Sequence, residues 1–361
     1  MFYIICALGL LGAIGIILSL HPKFGKAPSG ERLAKMQQTP NFKNGVFYNL
    51  SHTPSLAKGH STFKVFYDFF FTKFPNTVPD KEIPSVKTDL KSLAINQDIL
   101  VWFGHSSYYF QLNGKRFLVD PVFSGNVSPI PNTANAFKGS DIYTVADIPK
   151  IDYLLITHDH YDHLDYETII ELKNKVTKVI CPLGVGSHLE HWGFKKEDII
   201  ERYWYERIEL PDNLKIDLAP TRHFSGRTHK RNNTLWTSYI VQFPDYKLYV
   251  GGDSGYDSHF KAIGEQYGPI DFALLENGQY NEAWHYIHMF PQELLQAAND
   301  IKAKRVMPIH SGKFKLAHHE WNLPLKEVTR LNDGKINLAT PKIGEVVLLK
   351  NEEQTFAPWW E

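Results

Sequence analysis

The sequence predicts an α+β domain built in layers. Three observations carry the prediction. Short apolar runs recur from about residue 98 onward, each ending in Gly, Asp, His or Pro. The first runs follow one another without a helical stretch, whereas helical patterns separate several of the later ones. The chain has 361 residues and is 43% hydrophobic, which is enough to bury a substantial core between such layers.

The N-terminal end is set apart. Residues 1–20, MFYIICALGLLGAIGIILSL, carry no charged side chain. As a helix rising about 1.5 Å per residue they would reach roughly 30 Å, the depth of a bilayer core. A cleaved signal would want a basic start and a small-residue cleavage site, and the stretch has neither. It is therefore expected to be a retained, single-pass transmembrane anchor. Lys23, Lys26, Arg32 and Lys35 follow it and no Lys or Arg precedes it, which places the catalytic part on the cytoplasmic side.

Residues 21–97 read as an irregular arm packing on the core, interrupted by prolines at 22, 28, 40, 54, 75, 79 and 84. Within the arm, FKVFYDFFFTKF (63–74) is expected to form an aromatic helix. Packing on the core is favoured over facing lipid.

Residues 98–361 form the main domain. DILVWFG and RFLVDP are expected strands, joined by the turn at Asn113-Gly114. DYLLIT, KVICP, KIDLAP, TSYIVQF, KLYVGG, DFALLE and RVMPIH follow as strands. Helices are expected over 166–173, 186–192, 259–267 and 291–301. No repeat of fixed period interrupts this order.

Composition narrows the function. Lys plus Arg equals Asp plus Glu, so no basic excess points to nucleic acid. Cys6 and Cys181 form no Cys-x-x-Cys pair, which removes a thiolate zinc site. PLGVGSHLEHWG lacks the spacing of a dinucleotide loop. His188 and His191 within it would share a helix face without a third partner, and read as packing or surface residues.

One stretch demands a chemical explanation: ITHDHYDHLD, residues 156–165. His158, Asp159, His160, Asp162 and His163 lie on the loop beyond a strand end. Such a loop can turn side chains inward from several backbone angles, which one regular element cannot do. Imidazole and carboxylate are the usual nitrogen and oxygen donors for zinc. His158 and His160 can share one ion, and Asp162 and His163 a second. His223, Asp253 and His310 each follow a later strand end. If those strands run the same way, all reach one sheet edge. Asp253 is the natural bridge, because a carboxylate offers two oxygens. Gly251 and Gly252 would let its backbone approach closely.

THDHYDH, with His223, Asp253 and His310 downstream, resembles the metallo-β-lactamase superfamily. VWFGHSSYYFQLNGKRFLVDPVFS (101–124) and HMFP (288–291) resemble its branch of N-acylphosphatidylethanolamine-hydrolysing phospholipases D. The resemblance covers about residues 98–349. It implies a four-layer αββα sandwich with two Zn2+ ions at one edge. His158, His160 and His223 would hold one ion. Asp162, His163 and His310 would hold the other, and Asp253 would bridge them. Asp120 would hydrogen-bond a metal ligand from behind, although an aspartate before proline also suits a turn. His105 would lie near the substrate, or be a buried structural histidine. His288 would touch the substrate phosphate, or be an exposed loop histidine. The implied catalytic residues are Asp162, Asp253 and His288. The implied activity is cleavage of N-acylphosphatidylethanolamine to N-acylethanolamine and phosphatidic acid, with a phospholipid substrate and a membrane as partners. A lactonase or phosphodiesterase acting on a soluble substrate is the alternative. A non-catalytic, membrane-tethered metal-binding protein is the third reading.

Overall fold

The computed structural model describes residues 21–361 apart from residue 229, and leaves out the side chains of residues 69 and 70. The expected anchor, residues 1–20, lies outside the described residues. Among the described residues no helix is long and apolar enough to cross a membrane. The expectation of a single-pass protein with a cytoplasmic catalytic part is corrected accordingly. Two basic residues that carried the orientation argument are engaged within the fold. Lys23 pairs with Glu167, and Arg32 with Glu190 and Glu201.

The arm contains helix α1 (Gly30–Gln37), the hairpin β1 (Phe42–Lys43) and β2 (Val46–Phe47), and helix α2 (Thr62–Phe71). Phe47 is buried against Trp204 and Trp236, which ties the hairpin to the main body. Helix α2 forms where the aromatic run predicts it, capped by the Ser61 hydroxyl. Its packing differs from expectation. Phe63 and Phe71 are 77% and 68% exposed, and Phe66 and Tyr67 on the same face are also exposed. Residues at this spacing share one helical stripe, and here that stripe is turned away from the core.

One seven-stranded sheet contains β3 (Ile99–Trp102), β4 (Tyr108–Leu112), β5 (Lys115–Val119), β6 (Ile151–Leu155), β7 (Val176–Pro182) and β8 (Ile199–Arg202), with β16 (Val346–Leu348) beside β3. The Asn113-Gly114 turn joins β4 to β5, not β3 to β5 as the sequence suggested. Strand β4, YYFQL, is buried on both faces and lacks the polar alternation that marks a half-exposed strand.

The second seven-stranded sheet contains β9 (Arg207–Glu209), β10 (Lys215–Ala219), β11 (Ser238–Phe243), β12 (Tyr246–Val250), β13 (Ile270–Glu276), β14 (Ala303–Ile309) and β15 (Asn337–Leu338). Strand β11 is antiparallel to both β10 and β12, and β12, β13 and β14 are parallel. Strands β10, β12, β13 and β14 therefore run the same way, and their C-terminal ends share one edge.

Side-chain alternation separates the layers. Phe110, Phe117, Leu155, Leu248 and Val250 meet in the core between the two sheets. Tyr109, Leu118 and Leu154 turn the other way, onto α3 (Tyr166–Leu172) and α4 (Gly186–His191) through Ile169 and Leu189. Tyr249 and Ala273 face α5 (His259–Gln266) and α6 (Pro291–Asp300) through Phe260 and Leu294, and Val328 of α7 (Leu323–Asn332) joins them. The order is helix, sheet, sheet, helix.

Tyr239 of β11 crosses the interface. Its hydroxyl donates to the carbonyl of Ile156, and the carbonyl of Ile180 lies 3.2 Å away. The first of these carbonyls opens the loop that carries the histidine cluster. Tyr239→Phe removes this buried donor and is expected to cost about 1–2 kcal/mol. Urea unfolding should show a lower midpoint at unchanged slope.

Candidate metal centre

The site is assembled around a buried carboxylate that is not itself a proposed ligand. Asp120 follows β5 and accepts three hydrogen bonds. Thr157 donates from its backbone N–H (2.8 Å) and its hydroxyl (2.6 Å), and His163 donates from Nδ1 (2.8 Å). Because the Thr157 proton is committed to Asp120, its oxygen accepts from His158 Nδ1 at 3.0 Å. His223 Nδ1 donates to the Ile287 carbonyl at 3.0 Å. These bonds assign the tautomers: the Nε2 atoms of His158, His163 and His223 are left as lone pairs.

Those lone pairs converge. His158 Nε2 lies 2.9 Å from His160 Nδ1, and His223 Nε2 lies 3.3 Å from the same atom. Across from this trio, His163 Nε2 lies 3.5 Å from Asp162 Oδ2. Asp253 stands between the groups. Its Oδ1 is 3.2 Å from His163 Nε2 and 3.1 Å from His310 Nδ1, while its Oδ2 is 3.9 Å from His158 Nε2 and 3.6 Å from His223 Nε2. One carboxylate oxygen thus faces each set of donors.

The backbone before Asp253 has no room for side chains. A Cβ on Gly251 would lie 2.3 Å from the Leu274 carbonyl oxygen, and one on Gly252 would lie 2.4 Å from that of Thr237.

The donor set fits a bound cation. Asp253 Oδ1 and His163 Nε2, which face the cluster, are buried without a hydrogen-bond partner among the described residues. An orphaned buried polar atom costs about 1–3 kcal/mol, so a pair of them needs a compensating charge. Burial pushes His158, His223 and His310 well below the usual imidazole range, into the neutral form that ligates. Burial opposes ionisation of Asp253, but His163 and His310 hold it well below the usual carboxylate range. Burial opposes protonation of His163 too, yet Asp253 and Asp162 lift it well above the usual value. The same two carboxylates would favour a metal ion in place of that proton.

His105 and His188 are both buried within the framework of the site. His105 is fully buried and donates from Nε2 to Asp162 Oδ2 at 2.9 Å, with its ring 4.0 Å from that of His310. It orients a candidate ligand and does not line the open pocket. His105 and His310 both adopt positive φ, 54° and 68°. The His310 N–H donates to the His105 carbonyl and the His105 N–H to the Ser311 carbonyl, each at 2.9 Å. Two strained turns are thereby zipped together.

His188, read from sequence as packing or surface, is buried and bonded to the motif itself. It accepts from the Lys26 N–H through Nδ1 (2.9 Å) and donates from Nε2 to Asp159 Oδ2 (3.2 Å). Asp159 also accepts from the Thr234 hydroxyl and the Gly226 N–H. Arg227 donates to the carbonyls of Asp159 and Leu164, bracing the loop at two points.

His288 lines the pocket beside His223 and His310. Its Nδ1 donates to Glu276 Oε2 at 2.7 Å, leaving Nε2 for the pocket. Glu276 also accepts from the Met289 N–H. Burial raises the pKa of the Glu276 carboxyl, and the His288 imidazole opposes that rise. Sequence reasoning missed Glu276, although it ends the strand DFALLE just as the proposed ligands follow other strand ends. The metal floor opens into a pocket of about 290 Å³, walled partly by Leu56, Phe224, Trp284, Ile287 and Leu316.

Comparison with known proteins gives this arrangement a family. Residues 115–311 match the Beta-lactamase superfamily domain. The chain belongs to the β-lactamase superfamily. An uncharacterized protein of Mycobacterium tuberculosis is 33% identical over 332 residues, 91% of this chain and 89% of its own. The N-acyl-phosphatidylethanolamine-hydrolyzing phospholipase D 1 of Caenorhabditis elegans is 28% identical over 268 residues, 68% of this chain and 74% of its own. A solved metallo hydrolase from Ignicoccus hospitalis shares the fold, with a TM-score of 0.54 at 23% identity over 70% of this chain and 98% of its own. This member of the superfamily is a metal-dependent hydrolase with a metallo-β-lactamase fold.

Two outcomes test the centre. Asp253→Asn keeps the shape but removes the charge shared by both donor sets. Elemental analysis of protein purified without chelator should find less than half the wild-type metal. His188→Ala removes the bond that steadies Asp159. Partners that orient a metal site commonly contribute tenfold to a hundredfold in affinity, so this variant should release metal at about tenfold lower chelator concentration than wild type.

Proposed function

We propose that the protein is a binuclear zinc phosphodiesterase of the phospholipase D type. It cleaves N-acylphosphatidylethanolamine to N-acylethanolamine and phosphatidic acid. The observation that carries this reading is the pocket: a floor of histidines and carboxylates opens directly between apolar walls. A diester with long acyl chains needs both surfaces at once. The activity named for the Caenorhabditis elegans relative supports the same substrate class.

His158, His160 and His223 would hold one zinc ion, and Asp162, His163 and His310 the other, with Asp253 shared. Zinc bound there supplies a nucleophile at neutral pH by acidifying water, and neutralises charge that develops on phosphate oxygens. The chain's own residues orient and exclude. His105 steers the Asp162 carboxylate, while Asp120 and Thr157 fix the imidazoles of His158 and His163. His288, its Nδ1 proton committed to Glu276, presents Nε2 to a non-bridging phosphate oxygen. Burial opposes protonation of His288, but the Glu276 carboxylate lifts it above the usual imidazole value. Its protonated form can donate a hydrogen bond there. Phe224, Trp284 and Leu316 receive acyl chain and exclude water.

Incubation of zinc-loaded protein with a mixed lipid extract, followed by mass analysis, should show loss of N-acylphosphatidylethanolamine and equal gain of the two products. His288→Ala should keep its zinc and lose about a hundredfold in turnover, the usual scale for one electrostatic contact to reacting oxygen. Intact lipid beside rapid opening of a lactone would replace this reading with that of a lactonase.

A further inference from the structure

We infer that Arg231 binds the phosphate oxyanion of the substrate at the mouth of the metal pocket. The inference deepens the phosphodiesterase reading and rests on it for the identity of the anion.

Arg231 is the one lysine or arginine among the described residues lining the pocket, beside His160, Asp162 and His223. Its guanidinium carbon lies 3.8 Å from the centre of the Phe224 ring. Phe224 in turn packs against His160 at 4.3 Å and His223 at 4.8 Å, centre to centre. The stack links the guanidinium to the proposed metal floor through one aromatic ring. A planar cation seated on a ring is held in orientation while the edge that carries its donors stays free.

Six other arginines have guanidinium donors engaged by the protein. Arg32 pairs with Glu190 and Glu201, Arg207 with Asp217, Arg222 with Asp257 and Arg330 with Glu327. Arg227 and Arg305, deep in the fold, donate to backbone carbonyls. Arg231 contacts no carboxylate or carbonyl among the described residues. Burial of its stacked side lowers the pKa of the guanidinium, with no counter-charge opposing the shift. The planar fork matches two oxygens of a phosphate. A phosphodiester entering between Leu316 and Phe224 would meet this fork above the buried ligands.

The test uses the zinc-loaded full chain as wild type, Arg231→Ala and Arg231→Lys, each checked for wild-type metal content and unfolding temperature. Inorganic phosphate is titrated in while the fluorescence of Trp284, which lines the same pocket, is followed. Loss of a charged hydrogen-bond donor should weaken phosphate binding about tenfold in Arg231→Ala, with Arg231→Lys intermediate. With bis(p-nitrophenyl) phosphate as substrate, the KM of Arg231→Ala should rise about tenfold while kcat stays within twofold. Equal phosphate affinity in all three proteins overturns the assignment, as does a loss confined to kcat. If wild type turns over no diester, the phosphodiesterase reading fails, and the phosphate titration still decides whether Arg231 is an anion site.

Discussion

The Asp120 carboxylate organises the site although it is not one of the seven proposed metal ligands. It sits at the end of β5, against the start of the loop that leaves β6, and accepts from Thr157 twice and His163 once. Thr157 passes the constraint on to His158. One buried acid thus fixes the protonation pattern of two histidines and the path of the loop between them. Burial raises the pKa of Asp120, and its three donors oppose that rise. A polar group with fewer partners would be a liability in this position.

The same rule shapes the surroundings. Every outward-facing nitrogen that could be satisfied by the protein is satisfied: His163 by Asp120, His158 by Thr157, His223 by the Ile287 carbonyl and His288 by Glu276. Of the site atoms left without partners, His163 Nε2 and Asp253 Oδ1 face one another across the cluster. A site with its protons facing out and its lone pairs facing in is organised to receive cations. The two sheets make this possible. Their apolar inner faces fill the space between them, so the polar residues can gather only at the edge where strands end. The Tyr239 hydroxyl fixes the relative position of the sheets next to that edge.

The arm belongs to this arrangement as much as the sheets do. The Lys26 N–H sets the tautomer of His188, which then steadies Asp159 inside the histidine motif. Arg227 donates to the Lys23 carbonyl as well as to the loop. Asn49 exchanges hydrogen bonds with the backbone of His223. Leu56 lies in the pocket wall. Residues that read as an irregular arm packing on the core therefore help brace the site and wall its pocket.

The sequence by itself determined the class of the fold and the candidates for the ligand set. Strand-ending runs and a dense His-Asp cluster are local patterns, and His158, His160, Asp162, His163, His223, Asp253 and His310 all sit at strand ends that can be read one at a time. Tertiary structure decided which partners those residues have. His105 and His288 were legible as candidates, yet only the packing shows that His105 lies beneath Asp162 while His288 faces the pocket. Glu276 ends a strand as the candidate ligands do, but the partner that defines its role, His288, is 12 residues away. Arg231 carries no local signature, because the ring it stacks on is 7 residues away. His188 looked unpartnered because its acceptor, Asp159, is 29 residues distant. The aromatic face of α2 was read as core because hydrophobicity records what a side chain would gain by burial, whereas only the assembled layers show whether a surface is there to bury it.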